Sequence, residues 1–149
     1  MIDAGQKAPD FSAQDQSGNT ITLADFTGKK LVLYFYPKDD TPGCTKEACN
    51  LRDNYQSLLE NGFAVLGVSP DTSASHRKFA DKFTLPFPLL ADPDLAITKA
   101  YGAWGEKNMY GKKYEGLLRT TFIIDEKGVV ESVIKKVQTD NHTNQILKK

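Results

Sequence analysis

Residues Leu31 to Tyr36, "LVLYFY", form the strongest constraint on the fold. Six apolar, β-branched or aromatic residues stand together, bounded by Gly28-Lys29-Lys30 on one side and Pro37 on the other. A run this short with no polar alternation reads as a strand buried on both faces, at the centre of a sheet. A second run of the same kind, Phe63 to Val68 ("FAVLGV"), lies downstream. Between them Thr41 and Pro42 supply a cap and a first helical turn. Ala48, Leu51, Tyr55, Leu58 and Leu59 then recur at spacings of three and four, until Asn61-Gly62 closes the helix. Strand, helix, strand in that order predicts a parallel crossover.

The rest of the chain extends this pattern. "FSAQDQSGNTITL" turns at Ser17-Gly18-Asn19 and predicts an N-terminal hairpin. "SASHRKFADKF" reads as a second helix, with Phe79 and Phe83 one turn apart. A short strand near "PLLA" and a short helix over "DPDLAITKAYG" follow. "LLRTTFIID", "EKG" and "VVESVIKKV" make a second hairpin, and "DNHTNQILKK" a terminal helix. "GAWGEKNMYGKKYEG" reads as a loop anchored by its aromatics. The fold class expected is α/β: a thioredoxin-like fold with a central mixed β-sheet flanked by helices and an N-terminal β-hairpin extension. One domain over residues 1–149 is expected from the length.

Composition narrows the function classes. Lys plus Arg and Asp plus Glu are both 19, so no electrostatic footprint for a nucleic acid exists. No stretch reaches the roughly 20 apolar residues a membrane span needs. "MIDAGQKAPDF" lacks a secretory pattern, so a cytoplasmic protein is expected. No P-loop or G-x-G-x-x-G motif supports nucleotide binding. His76 and His142 fall in polar stretches without metal-site spacing to the cysteines; C-x4-C from one helix is poor zinc geometry, and neither metal nor cofactor is expected.

The chain has two cysteines, both in "TPGCTKEAC". Cys44 falls after a strand and in the first turn of a helix, where free N–H groups and the positive end of the helix dipole favour a thiolate. Gly43 allows close backbone approach, Thr41 places a hydroxyl three residues before the thiol, and Pro37 and Pro42 stiffen the loop. Cys49 is five residues on. In a wound helix that spacing separates the Cα atoms by ~8.7 Å, beyond the about 4.4–6.8 Å a disulfide spans. A Cys44–Cys49 disulfide therefore requires the helix start to unwind. Three readings follow from the residues: a thiol that reacts alone and is later captured by Cys49, a dithiol exchange module, or two inert core cysteines. Arg119, opening an apolar strand, asks for a partner or else sits at an edge. Thr41 could be a plain cap and Glu47 plain dipole complementarity.

"YPKDDTPGCTKEAC" resembles the active-site segment of peroxiredoxins, with P-x-x-x-T-x-x-C met at Pro37, Thr41 and Cys44. The second cysteine resembles the bacterioferritin-comigratory-protein or peroxiredoxin Q subfamily. "LPFPLLADPD" and "YEGLLRTTFIID" extend the likeness over nearly the whole chain. The resemblance implies a thioredoxin-dependent thiol peroxidase in antioxidant defence, acting on hydrogen peroxide and alkyl hydroperoxides. It implies Cys44 as peroxidatic and Cys49 as resolving cysteine, Thr41 holding peroxide oxygens, and Arg119 stabilising thiolate and transition state. Pro37 would shield the thiol and Glu47 orient the arginine. Thioredoxin, or a glutaredoxin-like dithiol, would reduce the disulfide, and an intrachain disulfide suits a monomer.

Overall fold

The computed structural model describes residues 1–148. The "LVLYFY" run lies at the middle of a five-stranded sheet, as strand β3 (Lys30–Phe35). Before it come the hairpin strands β1 (Ser12–Gln14) and β2 (Thr20–Thr22), joined by a turn in which Asp15 Oδ1 accepts from the backbone of Ser17 and Asn19. After it come helices α1 (Pro42–Asp53) and α2 (Tyr55–Glu60), strand β4 (Phe63–Ser69), helix α3 (Ser73–Phe83), strand β5 (Leu89–Ala91) and helix α4 (Ala96–Ala100). Strands β6 (Trp104–Met109), β7 (Lys112–Leu117), β8 (Thr120–Ile124) and β9 (Val130–Ile134) and helix α5 (His142–Leu147) complete the order.

The sheet runs β5-β4-β3-β8-β9. Helical crossovers make β3, β4 and β5 parallel, and β8 and β9 join antiparallel, so the sheet is mixed. Alternation along β3 explains its unbroken apolar sequence. Leu31, Leu33 and Phe35 enter one core cluster; Val32 and Tyr34, with Tyr36 beyond the strand, enter the other. Cys44, Ala48 and Leu51 of α1 belong to that second cluster, which fixes the face carrying the thiol. Gly67 is required opposite: a Cβ there would stand 2.9 Å from the Tyr34 ring and 2.8 Å from Leu89.

Two elements differ from the sequence expectation. The helix expected to run to Asn61 breaks at Asn54 (φ −113°, ψ 14°). The Asn54 side chain donates to the carbonyl of Asn50 at 2.8 Å, competing for the acceptor that a continuous helix gives to the backbone. The "GAWGEKNMYGKKYEG" segment is not a loop but the β6–β7 hairpin, turning at Tyr110 and Gly111, both with positive φ. That backbone is what a two-residue hairpin turn demands. Tyr110 is 98% exposed at the tip, and Trp104 packs on the first cluster, away from the Cys44 face. Among the described residues no helix is long and apolar enough to cross a membrane.

Candidate active site

Strand β3 delivers the chain to a braced loop. Tyr36 donates through its hydroxyl to Asp39 Oδ1 (2.6 Å), and Asp39 Oδ2 lies 2.7 Å from His76 Nδ1 and accepts from Ser75 Oγ at 2.8 Å. His76 Nε2 donates to the Leu90 carbonyl, and Asp71 accepts from the Asp39 backbone N–H at 2.7 Å. His76 is therefore fully buried, not on the polar face its sequence suggested. Asp40 is left-handed (φ 58°) and Thr41 extended (φ −94°, ψ 156°), as a residue before proline must be. Pro37 is half-buried at the loop's start.

Thr41 is the N-cap residue of α1, but its side chain does not cap. Its hydroxyl donates to the Lys38 carbonyl at 2.9 Å, which leaves the oxygen's lone pairs available. The first intrahelical bond runs from Thr45 N to Thr41 O (2.8 Å), so the N–H groups of Gly43 and Cys44 lie ahead of the ladder. Cys44 is buried in that first turn.

Arg119 comes to the thiol through the sheet. Thr120, the first residue of β8, pairs with Phe35, the last of β3, so the residue before it stands at the end where β3 releases the Cys44 loop. Arg119 Nη2 lies 3.2 Å from Cys44 Sγ, and Nη1 donates to Glu47 Oε1 at 2.7 Å. Glu47 is three residues after Cys44, on the same side of α1, and fully buried. Gly43 makes room for this fork: a Cβ there would stand 3.2 Å from Arg119 Nη2. Burial lowers Arg119's proton affinity, but the facing Glu47 and Cys44 more than offset it and the guanidinium is held above its ordinary value. Burial pushes the Glu47 carboxyl up to about 7, with Arg119 pulling the other way.

Cys44 and Cys49 are both free thiols on the continuously wound α1. Burial pushes the Cys49 thiol up, against the pull of Arg52. Beside it, Asn50 ties α1 to α5: Nδ2 donates to the Asp140 carbonyl (3.1 Å) and Oδ1 accepts from Thr143 N (2.8 Å).

The structure thus brings Cys44, Arg119 and Glu47 into contact and sets Thr41 at the helix start. Sequence reasoning missed His142, fully buried with Nε2 at 3.5 Å from Glu47 Oε2, and Tyr34, whose hydroxyl is buried in the cluster that holds Cys44. A histidine opening a polar terminal helix gave no signal of burial.

A mixed sheet flanked by helices, with a thiol at a helix start and an arginine brought to it from the neighbouring strand, defines a thioredoxin-like α/β protein. Residues 4–133 match the AhpC/TSA family, and the chain belongs to it. It is 44% identical to peroxiredoxin Bcp of Bacillus subtilis, over 98% of this chain and 93% of the relative. It is also 44% identical to peroxiredoxin Bcp of Escherichia coli, over 98% and 94%. The bacterioferritin comigratory protein of Xanthomonas campestris, solved for its alkyl peroxide reduction activity, superposes with a TM-score of 0.90 at 37% identity, covering 98% of this chain and 96% of that one. The family carries its activity class with it, a thiol peroxidase and thus an oxidoreductase.

Proposed function

We propose that the chain, working as one domain over residues 1–149, reduces hydrogen peroxide and alkyl hydroperoxides through Cys44. The observation that carries this is the Arg119 fork, 3.2 Å from Cys44 Sγ and 2.7 Å from Glu47 Oε1. A guanidinium fork fixed by a carboxylate is preorganised for charge moving onto oxygen.

The thiolate attacks the terminal peroxide oxygen in line. The O–O bond breaks, Cys44 becomes sulfenic acid, and the departing alkoxide takes a proton to leave as alcohol or water. Arg119 faces the oxygen where charge develops, and Thr41 accepts a hydrogen bond from the peroxide O–H while its own hydrogen stays on Lys38. Pro37 shields the thiol from bulk water. Glu47 orients the arginine.

Cys49 then resolves the intermediate. While α1 is wound, the five-residue spacing holds the thiols apart and burial keeps Cys49 protonated. Unwinding frees Cys49 to attack the Cys44 sulfur; an S–S bond forms and hydroxide leaves as water. Thioredoxin, or a glutaredoxin-like dithiol, returns both cysteines to thiols by exchange. The chain acts in the cytoplasm, and as a monomer, since both cysteines of the disulfide come from one helix. A dithiol exchange module gives no role to the Arg119–Glu47 fork on Cys44 alone, which disfavours that reading.

Peroxide consumption with a thioredoxin system, compared with a glutaredoxin system, tests the reductant. Turnover with glutaredoxin alone would remove the thioredoxin assignment, and turnover with neither would remove both.

A further inference from the structure

His142 opens α5 directly behind Glu47 and takes no part in the steps above. Its Nδ1 lies 2.8 Å from Gln145 Oε1. The Gln145 amide cannot be reversed, because Oε1 also accepts from Gln138 N (2.9 Å) while Nε2 donates to the Lys136 carbonyl (2.9 Å). Nδ1 therefore carries a hydrogen. The other ring nitrogen, Nε2, stands 2.7 Å from Thr121 Oγ1 and 3.5 Å from Glu47 Oε2. Glu47 Oε2 is buried and has no hydrogen-bond partner among the described residues, its sister oxygen being taken by Arg119.

A carboxylate oxygen facing the lone pair of a neutral imidazole, away from water, is unfavourable. One proton relieves it from either side. On Oε2 it neutralises the carboxylate; on Nε2, where the Thr121 hydroxyl otherwise donates into the single lone pair, it makes a cation beside the carboxylate, with the Thr121 hydroxyl turned to accept. Charge balance asks for the same proton. A Cys44 thiolate, the Arg119 cation and a Glu47 carboxylate leave one uncompensated negative charge in a buried cluster. Added to the pair, the proton makes the cluster neutral.

We propose that Glu47 and His142 hold one shared proton behind Arg119, bound while Cys44 is a thiolate, and that His142 is thereby a positioning residue of the thiol site. Burial supports this by drawing the two groups together: it raises Glu47 to about 7 and lowers His142 from its ordinary value. The other titratable groups facing the pair are Cys44 on α1, Arg119 ahead of β8 and Tyr34 on β3. Tyr34 stays neutral, because burial, then Glu47 and Cys44, hold its hydroxyl well above the ordinary value. When peroxide converts the thiolate to neutral sulfenic acid, the pair loses the charge that favoured its proton.

The inference rests on Cys44 being the reactive thiol. Its test does not need turnover. The Glu47 carboxyl carbon and the His142 ring are followed by NMR against pH in the reduced chain and in Cys44→Ser. The expected result is one midpoint common to both groups, shifted downward in Cys44→Ser. Glu47 titrating in the ordinary carboxylate range, two independent midpoints, or a common midpoint unmoved by Cys44→Ser would each overturn the proposal. His142→Asn adds a kinetic arm: the midpoint of the ionisation shared by the pair should move in the pH profile of peroxide reduction. An unchanged profile in a folded variant would count against it. Failure of the wild-type chain to reduce peroxide strikes the proposed function instead and leaves the titration interpretable.

Discussion

Asn50→Ala should speed disulfide formation without changing the first reaction with peroxide. Unwinding α1 far enough to join Cys44 and Cys49 pulls Asn50 away from α5, so its two side-chain bonds, to Asp140 O and from Thr143 N, oppose the motion. The Thr143 hydroxyl bond to the Asn50 carbonyl survives the substitution, being made to backbone. Each partly exposed hydrogen bond contributes a net ~1 kcal/mol. Removing two destabilises the wound form by about 2 kcal/mol, roughly a thirty-fold shift towards the unwound one. If unwinding precedes attack by Cys49, the disulfide should form about thirty-fold faster. Rapid quench and thiol counting after one equivalent of peroxide measure that step, and peroxide loss in the same mixture measures the first. An unchanged disulfide rate would refute the idea that the tie between α1 and α5 holds the helix closed.

Three further outcomes follow from the same geometry. Gly43→Ala sets a Cβ 3.2 Å from Arg119 Nη2 and should displace the guanidinium from Cys44; loss of roughly 1.4 kcal/mol of that charged contact slows the peroxide step about tenfold, read by stopped flow. Glu47 is raised from 4.5 to about 7, so the native chain binds its proton more tightly than the unfolded chain does. That stability is full below the ordinary carboxylate range and is lost as pH rises through about 7, an effect of about 3 kcal/mol; Glu47→Gln should remove this downward slope from denaturant unfolding measured across the window. Cys49→Ser should complete one turnover and then stall, with mass spectrometry showing one added oxygen and, under excess peroxide, further oxidation of Cys44.

The parts of the fold readable in advance were those written locally. The doubly buried β3 (Lys30–Phe35), the helix start at Thr41-Pro42 and the β8–β9 hairpin (residues 120–134) each declare themselves within one short stretch of chain. The β6–β7 hairpin did not, because its turn is Tyr110-Gly111 rather than Asn-Gly and its strands are largely polar. The break at Asn54 depends on a side chain outcompeting the backbone, which periodicity does not register. In the site, Cys44 and Thr41 were legible from the strand-to-helix junction. Arg119 and Glu47 were legible through family resemblance only, because the β3–β8 register that joins arginine and thiol is a long-range fact. The two histidines were misplaced for the same reason. His76 is buried by Asp39 and the Leu90 carbonyl, and His142 by Thr121 and Gln145; of these partners only Gln145 lies on the histidine's own helix.

In the proposed cycle Cys44 Sγ, held by Arg119, is the atom that meets peroxide. Intact mass of the reduced protein after one equivalent of hydrogen peroxide tests it directly, with wild type, Cys49→Ser and Cys44→Ser side by side. Wild type should lose two hydrogens as the disulfide closes, Cys49→Ser should gain one oxygen, and Cys44→Ser should not react. Peroxide consumed by Cys44→Ser at the wild-type rate, with oxidation at Cys49, would contradict it.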